Sequence, residues 1–147
     1  MVTIKGGSAL EKRLSELAAK VSRPANLSVG FIENSTYPDG TSVPMVAAIQ
    51  EFGAPARKIP PRPYFRNMIA DKSPGWGDAI AAVLEANGYD ATRTMEQVGA
   101  GIKGQLQQSI VDTNAPALSP ATVARKGSAK PLVDTGQMLN SVDYKVE

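Results

Sequence analysis

The sequence predicts an α+β fold in one domain, residues 1–147, with three or four helices packed on a small antiparallel sheet and an extended proline-rich loop. Three observations support this. Apolar residues (42%) and charged residues (20%) occur at the levels typical of a globular domain. Several segments repeat apolar residues with helical spacing, and two short segments alternate as strands do. A chain of this length supports one hydrophobic core.

The first helix is predicted to begin after Ser8, because Ser8 and Glu11 have the spacing of a capping box. Its apolar stripe is Leu10, Leu14, Leu17, Ala18 and Val21. Pro24 ends this helix. Residues 27–32 then alternate between two faces and predict a strand.

Ser42 is predicted to cap a second helix, which Gly53 ends. Its predicted apolar face is Met45, Val46, Ile49 and Phe52. The next segment, 54–63, contains four prolines, which exclude a regular helix or a central strand. We expect it to be an extended, semi-rigid arm that leads away from the helix.

Helix is predicted to resume at Tyr64, to be interrupted at 73–75 by Ser-Pro-Gly, and to continue over 76–86. The longest helix begins at Asp90 or Thr92. Its apolar stripe is Met95, Val98, Ile102, Leu106 and Ile110.

The C-terminal third is predicted to contain a loop (114–120), one helical turn (121–125), a second loop (126–131), a last helical turn (134–139) and a strand (142–147). Only two segments show a strand pattern, and a two-stranded sheet has marginal stability on its own. We therefore expect one or two further strands within the loops, or strands from a neighbouring subunit that complete the sheet.

The composition narrows the possible chemistry. The chain has no cysteine and no histidine, which excludes disulfides, thiolate metal sites and a Ser-His-Asp arrangement. The acidic residues are scattered with no spacing that marks a catalytic pair. We therefore predict no enzyme activity, no catalytic residue, no metal and no cofactor. No apolar stretch approaches the roughly 20 residues of a membrane span, so we expect no membrane partner and synthesis in the cytoplasm.

Residues 99–104 read GAGIKG and match the G-x-G-x-x-G pattern of dinucleotide-binding sites. Such a site needs a strand before the glycines and an acidic residue about 20 residues after them. The sequence supplies neither, because these glycines lie inside a predicted helix. We interpret them as a helix face that a backbone approaches closely, either from the same chain or from a neighbouring subunit.

Two groups of basic residues lie on predicted loops. They are Arg57, Lys58, Arg62 and Arg66, and then Arg125, Lys126 and Lys130. They could contact duplex DNA without sequence specificity, or they could be solvated or pair with an acidic neighbour. The net charge of +2 and the few aromatic residues favour the second interpretation.

Three elements carry a resemblance to a known family: VAAIQEFGAPARKIPPRPYF at 46–65, PLVDTGQMLNSV at 131–142 and, more weakly, NAPALSPATVARKG at 114–127. They resemble the tail-completion proteins of tailed bacteriophages, the minor tail protein Z-like group. The matching residues are Glu51, Phe52, Gly53, Pro61, Arg62, Pro63, Phe65, Arg66, Leu132, Asp134, Thr135, Gly136, Met138, Ser141 and Val142. In many relatives the T-G element precedes the E-F-G element, whereas here it follows.

The resemblance implies a structural virion protein, made in the host cytoplasm, at the head-proximal end of the phage tail. It implies a homo-oligomeric ring, by analogy a hexamer, around passing duplex DNA. Its neighbours would be tail-terminator or tail-tube proteins and head-completion proteins. The alternatives are a tail terminator or head-completion adaptor, and, in another class, a sequence-independent DNA-binding module. A small hydrolase has the least support.

Aromatic residues and arginines are enriched at the energetic centres of interfaces, which guides the choice of site residues. The candidates for subunit interfaces are Phe52, Gly53, Pro61, Arg62, Pro63, Tyr64, Phe65, Arg66, Asp134, Thr135 and Gly136. The candidates for contact with the DNA channel or a partner are Arg57, Lys58, Arg125, Lys126 and Lys130.

Overall fold

The computed structural model describes residues 6–23, 25–32, 34–127, 131–132 and 136–147. The α+β class is confirmed, with helices packed on a two-stranded antiparallel sheet. In chain order the elements are α1 (Gly7–Val21), β1 (Leu27–Phe31), α2 (Val43–Phe52), a 3₁₀ turn (Pro55–Arg57), α3 (Tyr64–Lys72), a 3₁₀ turn (Ser73–Gly75), α4 (Trp76–Ala86), α5 (Ala91–Asp112), α6 (Pro120–Lys126), α7 (Gln137–Asn140) and β2 (Val142–Val146).

The sheet pairs the two strands that the sequence predicts. β1 and β2 are antiparallel, with Val29 opposite Tyr144 and Gly30 opposite Asp143. One face of the sheet lies on α5, and Lys103 of α5 reaches Asp143 with an Nζ–Oδ1 distance of 3.1 Å. That hydrogen bond holds the pKa of Asp143 below its usual value. The other face is mostly polar, so this is a one-sided sheet.

The additional strands that we expected are absent from the part of the chain that the structure describes. The loops there contribute two isolated bridges instead, one between Thr36 and Ser42 and one between Ala54 and Ile59. Both outer edges of the sheet are therefore free of a third strand within the described residues.

Helix α5 is the centre of the fold. Asp90 caps its start by accepting a hydrogen bond from the Arg93 backbone N–H at 3.0 Å. The helix packs on both strands and on α3 and α4. Its Leu106 and Ile110 are fully buried. Within the described residues the buried apolar core is Val43, Ala47, Tyr64, Met68, Leu106, Ile110, Leu132, Met138 and Val142.

The glycines of α5 have different surroundings. A Cβ at Gly99 would lie 2.5 Å from Cδ2 of Tyr144 and 2.7 Å from Cδ1 of Leu27, which confirms close packing at that position. At Gly101 and Gly104 no other described atom would lie within 4 Å of an added Cβ. Within the described chain nothing packs on these two positions, which face outward, so close approach by a neighbouring subunit there stays a prediction.

Helix α1 forms as predicted, but it contributes nothing to the core. Its N-cap is Gly6, with no side-chain capping bond, so the predicted capping box at Ser8 is wrong. Every residue of α1 except Leu17 is exposed, and Leu10 and Leu14 are 60% and 57% exposed. No other described element packs extensively on it.

Candidate interaction site

Helix α2 presents two faces that differ from the predicted one. Ser42 caps the helix, and its hydroxyl accepts a hydrogen bond from the Met45 backbone N–H at 3.4 Å. Val43 and Ala47 point into the core, together with the carboxylate of Glu51. Met45 and Phe52, predicted to be buried, are 51% and 65% exposed. The expected apolar face was wrong at Met45 and Phe52, because the side of α2 that packs on the rest of the protein carries Val43, Ala47 and Glu51.

The proline-rich segment 54–63 does not extend away from α2, contrary to our expectation. Gly53 adopts φ of 77°, and a Cβ there would lie 2.8 Å from the backbone nitrogen of Pro61. Ala54 and Ile59 then bond to each other through their backbones around the 3₁₀ turn. The prolines stiffen a compact turn that folds back on the helix, and glycine is needed where the two backbones meet.

Arg62 is the residue for which the structure most changes the expected role. Only 4% of it is exposed, although we expected it in an interface and in a basic cluster. Its backbone N–H donates to the carbonyl oxygen of Gln50 at 2.7 Å, and its Nε donates to the carbonyl oxygen of Pro116 at 3.0 Å. Burial lowers the pKa of the guanidinium. Arg62 therefore joins the proline-rich turn to the loop after α5 and is not free to contact a partner.

Glu51 caps the start of the next helix. Its two carboxylate oxygens accept hydrogen bonds from the backbone N–H groups of Phe65 at 2.9 Å and Arg66 at 3.2 Å, in the first turn of α3. The Nε of Arg66 donates to the same carboxylate at 2.7 Å. Pro63, at the N-cap position of α3, has no side chain that can accept a hydrogen bond. The cap of α3 therefore comes from Glu51, which belongs to α2.

Tyr64 is buried beside this cap and fixes α3 against α2 and α5. Its hydroxyl donates to the carbonyl oxygen of Ala47 at 3.1 Å, and its own carbonyl accepts from the Ser109 hydroxyl at 2.7 Å. Burial, and then the negative charge of Glu51, raise the pKa of Tyr64 well above its ordinary value. Tyr64, like Arg62, is an internal residue of the fold and not an accessible interface residue.

Phe52 and Arg66, which lie next to this cap, are exposed on the surface. The guanidinium of Arg66 lies 5.0 Å from the centre of the Phe52 ring, in a cation–π arrangement. Beside them a shallow apolar groove of about 280 Å³ opens between α2, α3 and the end of β1. We call this surface the Phe52 groove; it is lined by Phe31, Pro44, Ala47, Ala48, Glu51, Phe52, Tyr64, Phe65 and Arg66.

The described part of the T-G element also supports the fold. Gly136 adopts φ of 79° at the start of α7, and the Gln137 side chain donates to the carbonyl oxygen of Thr36 at 3.1 Å. Met138 and Val142 are buried in the core. Two interface candidates of this element, Asp134 and Thr135, lie outside the described residues.

The proposed DNA or partner contacts divide into three groups. Arg57, Lys58 and Arg125 are exposed and form no ion pair with another described residue. Lys126 donates through Nζ to the carbonyl oxygen of Pro131 at 3.1 Å, so it is held within the chain. Lys130 lies outside the described residues.

Pro61, Pro63 and Phe65 complete the set of interface candidates. Pro61 is exposed on the folded turn, whereas Pro63 and Phe65 are partly covered. The sequence reasoning missed Met45 and Ala48 as surface residues next to Phe52. Their spacing of three, four and seven residues places Met45, Ala48 and Phe52 in one helical row, but it does not show whether that row faces in or out.

Comparison of the chain with protein-family models, curated proteins and solved structures yielded no match. Within the described residues no three acidic side chains are grouped so that they could hold a metal ion. No helix in that part of the chain is long and apolar enough to cross a membrane.

Proposed function

We propose that this chain is a structural subunit that works by assembling with other proteins through the Phe52 groove. One observation carries the proposal. Buried polar contacts of α2 and of the turn after it fix the backbone around Phe52, while the aromatic ring of Phe52 stays exposed to water. Glu51, Gly53 and Arg62 fix the turn and the start of α3, while Phe52 stays 65% exposed beneath Arg66. A rigid, preorganised aromatic and arginine pair is favourable for binding because little side-chain entropy is lost on docking.

The particular role that we propose is tail completion in a tailed bacteriophage. The resemblance of residues 46–65 and 131–142 to tail-completion proteins supports this role. In it, the chain forms a ring at the head-proximal end of the tail and helps to join the tail to the head. The tail terminator and the head-completion adaptor are the nearest alternatives, because both are also small ring-forming subunits.

The test uses the phage that carries the gene, grown with the gene inactivated and complemented in trans. Negative-stain microscopy of the lysate should show unjoined heads and tails without complementation and joined particles with the wild-type chain. Phe52→Ser should fail to restore joining. Tyr89→Asn, which changes another exposed aromatic residue, should restore it. Joined particles in the absence of the chain would reject the tail-completion role.

A second candidate function is sequence-independent DNA binding, favoured by the exposed Arg57 and Lys58 on the 3₁₀ turn. Phosphate contacts make binding strongly dependent on salt. Replacing both residues by glutamine should lower the slope of log affinity against log salt by about 2 if each contacts one phosphate. Wild-type binding with no salt dependence, or an unchanged slope in the double variant, would reject this function.

A further inference from the structure

Helix α1 carries an apolar stripe that the rest of the described chain leaves uncovered. Leu10, Leu14 and Val21 are all more than half exposed, and they lie on one side of the helix. Isolated helices of about 12–15 residues are marginal in water, and α1 has 15 residues. A helix of this length without tertiary support is stabilised when something covers its stripe.

The Phe52 groove is an apolar surface of the described chain that can accept such a helix. Phe52, which lines the groove, is more than half exposed, and so is Met45, three residues before the lining residue Ala48 on α2. Grooves of this kind accept the apolar face of an amphipathic helix through side chains three and four residues apart. Leu10, Leu14 and Leu17 have that spacing.

The two surfaces offer the two groups of one ion pair. The carboxylate of Glu51 is buried and accepts hydrogen bonds from the start of α3 and from Arg66, whereas the Arg66 side chain is 57% exposed, so the group that the rim of the groove presents to water is a guanidinium. Arg66 uses Nε and Nη2 within the chain, and its other N–H groups have no acceptor among the described residues. On α1, Glu11 follows Leu10 and lies three residues before Leu14, which places a carboxylate at the border of the stripe.

We propose that α1 of one copy docks in the Phe52 groove of a second copy, with Glu11 beside Arg66. Because the helix and the groove are different surfaces of the same chain, the contact is heterologous, and repeating it gives a ring if the rotation closes. In such a ring the groove of each copy covers α1 of one neighbour, and α1 of each copy fills the groove of the other neighbour. The inference deepens the proposed function, since it names the contact that would close the ring.

The size of the contact predicts how the assembly behaves. Fifteen residues of helix span about 22 Å, and only one face of α1 would be covered, so we expect the contact to bury less than the roughly 800 Å² per partner of a stable interface. A single contact should therefore be weak. Ring closure adds a second contact to each copy, so closed rings should form in preference to isolated dimers.

Sedimentation velocity of the full chain over a concentration series tests the proposal. The wild-type chain should sediment as an oligomer larger than a dimer. Leu14→Ser and Phe52→Ser should each weaken association by at least about tenfold, because each removes an apolar anchor. Both side chains are exposed, so circular dichroism should show both variants folded. Tyr89→Asn should associate like the wild type.

Mixing the two variants makes the test specific for a heterologous contact. The groove of Leu14→Ser and the helix of Phe52→Ser are both intact, so the mixture should form a 1:1 dimer and nothing larger. Because one contact without ring closure is weak, the mixture is studied at concentrations well above those at which the wild type assembles. A mixture that associates there no more than either variant alone would overturn the proposal. Glu11→Gln should weaken wild-type assembly and reduce its sensitivity to salt.

The other possible occupants give different results. A monomeric wild-type chain with slow amide exchange in α1 would mean that the helix covers a surface of its own chain. A monomeric chain with fast exchange in α1 would point to a foreign protein. Either result overturns the proposal. Self-association through these residues in a chain that is dispensable for joining heads to tails would retain the proposal and reject the phage role.

Discussion

Replacement of Glu51 by glutamine tests whether the carboxylate acts as the cap of α3. Glutamine has nearly the same shape, but one of its two terminal atoms is a donor. If the amide oxygen takes the position of Oε1, the two bonds from Arg66 survive. The amide nitrogen then faces the backbone N–H of Phe65, and two donors meet in a buried place.

The magnitude follows from these contacts. A buried donor left without an acceptor costs about 1–3 kcal/mol. Loss of a negative charge at a helix N-terminus costs about 0.3–1 kcal/mol more. We therefore expect Glu51→Gln to lower the free energy of unfolding by about 2–3 kcal/mol. For a chain of this size that corresponds to a fall in Tm of about 5–10 °C.

Urea unfolding followed by circular dichroism at pH 7 measures the change, and hydrogen exchange of the Phe65 amide reports the cap itself. Glu96→Gln is the matched control, because Glu96 is exposed in the second turn of α5. Its effect should stay within about 0.5 kcal/mol. A Glu51→Gln variant as stable as this control, with an equally protected Phe65 amide, would refute the capping role.

Two further predictions concern α5 and α3. Gly99→Ala should lower the free energy of unfolding by about 1 kcal/mol, because a clash with Tyr144 costs about 1–3 kcal/mol and the gain in helix propensity offsets about 1. Gly101→Ala should raise it by about 1 kcal/mol, since that position is open; urea unfolding that gives both changes the same sign would contradict the packing. The folded state raises the pKa of Tyr64, so the unfolded chain loses this proton first and stability falls as pH rises above about 10. Tyr64→Phe should cost about 1 kcal/mol at pH 7, because the hydroxyl no longer bonds to Ala47, and should weaken the alkaline loss; an unchanged slope between pH 9 and 11 would count against this.

The sequence by itself determined the class of the fold and the position of most elements. Apolar spacing located α2 and α5, alternation located β1 and β2, and Ser-Pro-Gly placed the break at 73–75. These are local properties, because a helix or a strand repeats its side chains within a few residues. Turn-forming residues are a local signal too, because they end a helix or a strand whatever direction the chain takes afterwards.

Tertiary structure decided which face each element buries and what each motif residue does. The same spacing that makes α2 amphipathic could not show that Phe52 faces water. Arg62, read from the sequence as a surface charge, is buried because it reaches the carbonyl oxygen of Pro116, 54 residues away in the chain. Glu51 caps a helix that begins 13 residues later, at Tyr64. Such contacts form only when segments distant in the chain pack together. The free energy gained or lost by burying a side chain therefore depends on its tertiary neighbours and not on the local pattern of residues.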